Sequence, residues 1–216
     1  RKSRVVVPVF LKFLHQQYYF FHNDDPDVRE FCLSEHIGDD IEQCEHWNRH
    51  VLSRRSLHKK LMSFLKMFAA VNGPQQLFKH KLLLRIFVAK LSNPDVSVAQ
   101  LAFSCLMKYK LHYMLPYAER LHNMLKRGEL RDTLAKFDLS KEAGVVNNEH
   151  RDGLIPIITR ILFGRFSARG AGAKSSKDSP AARRAAILSF FAVIGKNDGE
   201  LNYFVYMMVR SFLPRR

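Results

Sequence analysis

The sequence predicts an all-α fold, an α-solenoid built from stacked antiparallel helix pairs. Apolar residues recur at helical spacing along almost the whole chain, no run shows the sustained alternation of a half-buried strand, and the breaks between periodic segments are short and turn-like. A fourth sign is an echo. Asn93-Pro94-Asp95-Val96 repeats Asp25-Pro26-Asp27-Val28 after 68 residues, and Ser179-Pro180 repeats the helix-start chemistry 86 residues beyond Asn93. These separations are near two lengths of helical-hairpin repeats of about 34 and about 43 residues. A compact helical bundle is the alternative that periodicity alone leaves open.

Helices are expected near 5–21, 26–37, 54–71, 75–92, 95–109, 114–127, 129–137, 151–166, 180–194 and 199–212. The first contains the apolar run Val5–Leu11 and ends on Tyr18-Tyr19-Phe20-Phe21, which reads as a helix end buried against a neighbour. The second opens at Asp25-Pro26. The third carries the stripe Leu57, Leu61, Phe64, Leu65 and Phe68, at offsets of one helix face, and Gly73-Pro74 closes it and opens the next. Asn93-Pro94 starts the fifth, whose stripe is Val96, Ala99, Phe103 and Leu106. Leu154, Ile157, Ile158, Ile161 and Leu162 mark the helix at 151–166. At 180–194, Ser179 suits the N-cap and Pro180 the first helical position, before an alanine-rich apolar run. The segment at 199–212 is rich in apolar residues, Phe204 and Phe212 among them.

Charge is segregated. The 216 residues hold 35 Lys/Arg and 20 Asp/Glu, a net charge of +15. Nine of those acids lie between Asp24 and Glu45 beside one basic residue, Arg29, so the remainder is more basic still. Such an excess favours nucleic acid or an acidic partner. No segment can span a bilayer, because the longest apolar run is Val5–Leu11 and Pro8 interrupts it. Three widely spaced cysteines argue against a disulfide framework and for a reducing compartment. The chain starts at Arg1 and ends on Pro214-Arg215-Arg216, which reads as a piece of something longer. Residues 1–216 are therefore expected to form one stretch of helical repeats from a longer chain, with 168–178 as a flexible basic loop.

The strongest functional signal runs from Arg151 to Arg184. It carries eight Lys/Arg (Arg151, Arg160, Arg165, Arg169, Lys174, Lys177, Arg183, Arg184) against Asp152 and Asp178. Arg183 and Arg184 sit in the first turn of the helix at 180–194, where about half a positive charge already resides. An external phosphate would relieve both, since free N–H groups and arginines would point at one place. The eight residues are the expected phosphate-binding set. The other reading is that these arginines reach back to acids elsewhere or stay solvated.

Bond-making chemistry is not indicated. Gly170-Ala171-Gly172-Ala173-Lys174-Ser175 faintly resembles a nucleotide-binding loop, but Ala173 occupies the place of the required Gly and no strand precedes it. Cys32, His36, Cys44, His46 and His50 are dense enough for zinc, yet no C-x2-C pair exists, and Cys32 suits a helix core. No nucleophile elbow and no H-E-x-x-H motif is present. Catalytic residues, metals and cofactors are expected to be none.

Several blocks carry a resemblance: Leu91-Ser92-Asn93-Pro94-Asp95, Cys105-Leu106-Met107-Lys108-Tyr109-Lys110, Leu115-Pro116-Tyr117, Glu149-His150-Arg151, Ile161-Leu162-Phe163-Gly164-Arg165, Ala182-Arg183-Arg184-Ala185-Ala186-Ile187-Leu188 and Phe190-Phe191-Ala192. Their order and spacing resemble component twenty of the small-subunit processome, also called the down-regulated-in-metastasis family. Phe163 and Phe166 stand where the family pattern has Tyr and Met. The resemblance implies a segment of a giant HEAT-repeat, non-enzymatic nucleolar scaffold in 18S ribosomal RNA maturation. It implies pre-ribosomal RNA or snoRNA and ribosome assembly proteins as partners, within a large ribonucleoprotein complex of the nucleus, and no membrane. From another class, a protein-only adaptor solenoid, similar to a transport receptor, would use the basic face to bind acidic partner segments.

Overall fold

A computed structural model describes residues 2–18, 53–139, 144–168, 179–194, 202, 204–206 and 208–209. Among them the fold is all-α, as expected, with no strand. Eight α-helices are described: α1 Ser3–Phe13, α2 Arg54–Ala69, α3 His80–Lys90, α4 Val96–Met107, α5 Ala118–Leu125, α6 Leu130–Ala135, α7 Asn148–Ser167 and α8 Pro180–Ile194. The expected helix at 26–37 lies outside the described residues. Of the one at 199–212, residues 202, 204–206 and 208–209 are helical.

The helix ends follow local chemistry. Ser53 caps α2 by accepting from the Ser56 N–H at 3.2 Å, and Asp95 caps α4 by accepting from Ser97 N–H at 2.8 Å. Asn147 caps α7 through Glu149 N–H at 3.1 Å, so that helix begins three residues before the expected Arg151. Ser179 Oγ accepts from Ala182 N–H at 3.2 Å, with Pro180 in the first helical position, as expected. Gly73 adopts the left-handed conformation, φ 72°, that lets the chain turn after α2.

Two expected helices are shorter in α form. At 75–92 the chain makes a single 3-10 turn at Pro74–Gln76, extends at Leu77, and takes positive φ at Lys79 before α3 begins. At 114–127 Pro116 holds a 3-10 turn, Leu115–Tyr117, ahead of α5. The described end of the first helix, Leu14–Tyr18, is wound as π-helix.

The described residues fall into two units, one within residues 1–85 and one within 86–214. In the first, α1 meets α2 through rings. Phe10 lies 5.1 Å from both Phe64 and Phe68, and Phe13 stacks on Phe64 at 5.4 Å. Lys60 is drawn into this junction, with Nζ 5.1 Å above the Phe13 ring and donating to Gln17 Oε1 at 3.1 Å. Leu57, Leu61, Leu65 and Phe68 of the expected stripe are buried.

In the second unit α5 packs on α4, α6 and α7, while α8 packs on α6 and α7. The stripe Leu154, Ile157, Ile158, Ile161 and Leu162 is wholly buried, each side chain contributing about 1.5–3 kcal/mol by leaving water. Phe204 closes one end, 4.3 Å from the Phe191 ring and within 6.3 Å of Phe163. No described helix is long and apolar enough to cross a membrane.

Candidate nucleic-acid interface

Backbone groups at helix ends shape the basic region. The last four carbonyls of a helix have no partner inside it, and that end carries about half a negative charge. In this chain arginines fill that need. Arg183 is buried, and its Nε donates to the Arg165 carbonyl at 2.8 Å and its Nη2 to the Ala168 carbonyl at 2.6 Å. Arg184 is exposed. Its Nε donates to the Phe166 carbonyl at 3.2 Å, and its guanidinium stands 5.5 Å from the Phe166 ring centre. Both arginines thus face the C-terminal end of α7. The positive first turn of α8 is balanced there by an oppositely charged helix end.

The pattern recurs upstream. Buried Arg165 reaches the Lys126 carbonyl, 3.5 Å away just past the end of α5, and Gln100 Nε2 donates to the Leu125 carbonyl at 3.2 Å. Buried Arg151 also takes a main-chain oxygen, though not one at a helix end: it donates to the Leu139 carbonyl, four residues beyond α6, at 2.5 Å. Half-buried Arg160 bonds within its own helix, to the Pro156 carbonyl at 3.3 Å.

Of the eight sequence-predicted residues, then, Arg151, Arg165 and Arg183 turn inward onto backbone oxygen. Arg160 and Arg184 reach the surface. Arg169, Lys174 and Lys177, with most of the loop 168–178, lie outside the described residues. So do Cys32, His36, Cys44, His46 and His50. Among the described residues no cluster of His, Cys, Asp and Glu could hold a metal ion.

The blocks that carried the resemblance meet in space. Gly164 lies against the turn at Leu91-Ser92-Asn93: a Cβ there would come within 2.9 Å of the carbonyl oxygens of Leu91 and Asn93. Gly153 likewise lies under the Tyr113 ring, where a Cβ would be 2.7 Å from the ring. The Tyr117 hydroxyl accepts from Asn147 N–H at 3.0 Å and lies 3.2 Å from His150 Nδ1. Cys105 is buried on α4 and forms no disulfide, and burial pushes its pKa from 9.0 up to about 12, partly offset by a backbone hydrogen bond. Burial also raises the phenol of Tyr109, with Cys105 adding to it, and that of Tyr113.

Sequence reasoning missed the arginine-to-carbonyl bonds, because a backbone acceptor can belong to any residue type. The one available signal was two arginines in a first turn with no acid beside them.

A relative from Schizosaccharomyces pombe, "U3 small nucleolar RNA-associated protein 20", is 26% identical over 149 residues, 68% of this chain. The match spans about 6% of that relative's length. The sequence model of the family described as U3 small nucleolar RNA-associated protein 20, N-terminal, matches residues 55–214. That match takes in α2 to α8 and each of the blocks above, and the chain belongs to this family.

Proposed function

We propose that this chain is a segment of a non-enzymatic helical scaffold in ribosome biogenesis, working in the small-subunit processome of the nucleolus during 18S ribosomal RNA maturation. The single observation that carries the reading is the family match over residues 55–214. The printed name of the S. pombe relative associates that protein with U3 small nucleolar RNA. The partners that follow are pre-ribosomal RNA or small nucleolar RNA and assembly proteins of one large ribonucleoprotein complex.

The strong positive balance, +15 over 216 residues, supports contact with RNA phosphates. Arg160 and Arg184 present cations at the surface of α7 and α8, and Arg169, Lys174 and Lys177 follow α7 directly in the chain. These five are the proposed phosphate contacts. Arg165 and Arg183 hold the carbonyls at helix ends, and Arg151 holds the Leu139 carbonyl beyond α6. Contacts go to backbone phosphate and sugar, since folded RNA is read largely by shape.

Binding of the purified chain to a structured pre-ribosomal RNA fragment, titrated at salt from about 50 to about 200 mM, tests this reading. The expected result is a linear loss of log affinity with log salt. Binding to polyglutamate with none to RNA would favour the protein-only adaptor.

A further inference from the structure

The described part of the first unit contains no acidic residue. Residues 2–18 hold three Lys/Arg and residues 53–85 hold eight, with no Asp or Glu in either stretch. Among these, Lys60 is used inside, on Phe13 and Gln17. The helix α2 turns others outward. Arg55, Lys59 and Lys66 are all exposed, and their spacings of four and seven residues place them along one face. At a rise of about 1.5 Å per residue, Lys59 lies about 6 Å beyond Arg55, and Lys66 about 10 Å beyond Lys59.

The contrast with α8 is informative. There the first-turn arginines meet the carbonyl end of α7. In α2, Arg54 and Arg55 also occupy a first turn with no acid. Among the described residues, no hydrogen bond or ion pair holds the side chains of Arg54, Arg55, Lys59 or Lys66. Arg55 and Lys59 are like charges at i, i+4, an arrangement that disfavours the helix. The small side chains among them are occupied locally: Ser63 Oγ donates to the Lys59 carbonyl at 3.0 Å, and Ser56 lies 3.0 Å from Ser53 through their hydroxyls.

We infer that the Arg55–Lys59–Lys66 face of α2 is a second binding surface for the sugar-phosphate backbone of RNA. It rests on the reading that the chain meets RNA, but shares no residue with the contacts named above. An acidic protein partner is the poorer fit. Stable protein interfaces centre on buried aromatic or apolar anchors and are depleted in lysine at their core. Between its cations this face offers Ser56 and Ser63 with half-buried His58 and Met62, and Met67, 38% exposed, borders it. A row of cations without an anchor suits a polyanion that is neutralised charge by charge.

The test uses the 216-residue chain with labelled polyuridine and an RNA hairpin as probes. Replacing Arg55, Lys59 and Lys66 together by Gln should make the salt slope shallower by about two to three units for both probes. The charge-keeping variant R55K/K59R/K66R should retain the parent slope. Melting temperature should hold or rise in the Gln variant, because like-charge repulsion is relieved. An unchanged slope in the Gln variant overturns the proposal, whatever its melting temperature, and so does loss of polyglutamate binding with RNA binding intact. If the parent chain binds neither RNA, both this proposal and the reading beneath it fall. If the Gln variant alone behaves as the parent while Arg184→Ala flattens the slope, only this proposal falls.

Discussion

Arg183 Nε donates to the carbonyl oxygen of Arg165 at 2.8 Å, so one arginine's side chain ends the helix that another arginine belongs to. The same guanidinium takes the Ala168 carbonyl. Removing it leaves two carbonyls at the buried α7 terminus without their cation. We expect Arg183→Ala to lower the unfolding free energy by about 2–3 kcal/mol. Arg183→Lys should recover only part, since an ammonium lacks the planar fork that reaches both oxygens. Chemical denaturation of the three proteins checks this, and a parent-like midpoint for Arg183→Ala would refute it.

The adjacent residue should behave differently. Arg184 is exposed and makes one carbonyl bond plus a ring contact with Phe166. Arg184→Ala should stay within about 1 kcal/mol of the parent in stability. Its effect should appear in RNA binding, as a salt slope shallower by about one unit and similar across RNA sequences. Parallel melts and salt titrations of the two single variants separate a structural arginine from a phosphate-contacting one.

Gly164 sets the approach of α7 to the turn at 91–93. A methyl group there meets backbone carbonyls of Leu91 and Asn93 at 2.9 Å, and backbone cannot swing aside as a side-chain tip can. Gly164→Ala should destabilise by about 2–3 kcal/mol, in the upper range for overpacking. At Gly153 the obstacle is the Tyr113 ring, which is a side chain and can be relieved. The Gly153→Ala/Tyr113→Ala double variant should therefore be closer to additive rescue than any partner change at Gly164. Thermal melts of the series read this out.

Cys105 should resist alkylation while the fold persists. Burial raises its thiol to about 12, so almost no thiolate exists at pH 8. Iodoacetamide at that pH should leave the Cys105 peptide unmodified in mass spectra until denaturant is added. A thiol raised in the folded state favours folding fully below its ordinary value of 9.0, and the benefit is lost as pH rises from there towards about 12. Tyr109 and Tyr113, also raised, act in the same direction. Stability should accordingly fall above about pH 9, and a flat stability profile over that range would contradict the assignment.

The helices were legible because their signals are local. The stripe from Leu154 to Leu162 is spaced for one face, and Ser179-Pro180 names the first turn of α8. Asp95 and Ser53 act within two or three residues of themselves. The roles of Arg151, Arg165 and Arg183 were not legible. Arg165 and Arg183 depend on helix ends 15 to 39 residues away, and Arg151 on the segment beyond α6, 12 residues away; in each case the contribution is main-chain oxygen. The same is true of Gly164, where the requirement is the nearness of another segment's backbone. The left-handed residue Lys79 was hidden too, because lysine carries no preference for that conformation.

The arginine-to-carbonyl junctions have a consequence for how such a chain tolerates change. Every residue carries a carbonyl, so Lys126, Leu139, Arg165 and Ala168 supply their acceptors regardless of the side chains they bear. The constraint is one-sided. Substitution on the acceptor side passes without cost to the junction, and no second mutation there can compensate for the loss of Arg183. Pairwise covariation, which detects reciprocal adjustment between side chains, would find no partner for these arginines, although they tie main-chain oxygens at or beyond helix ends to helices later in the chain.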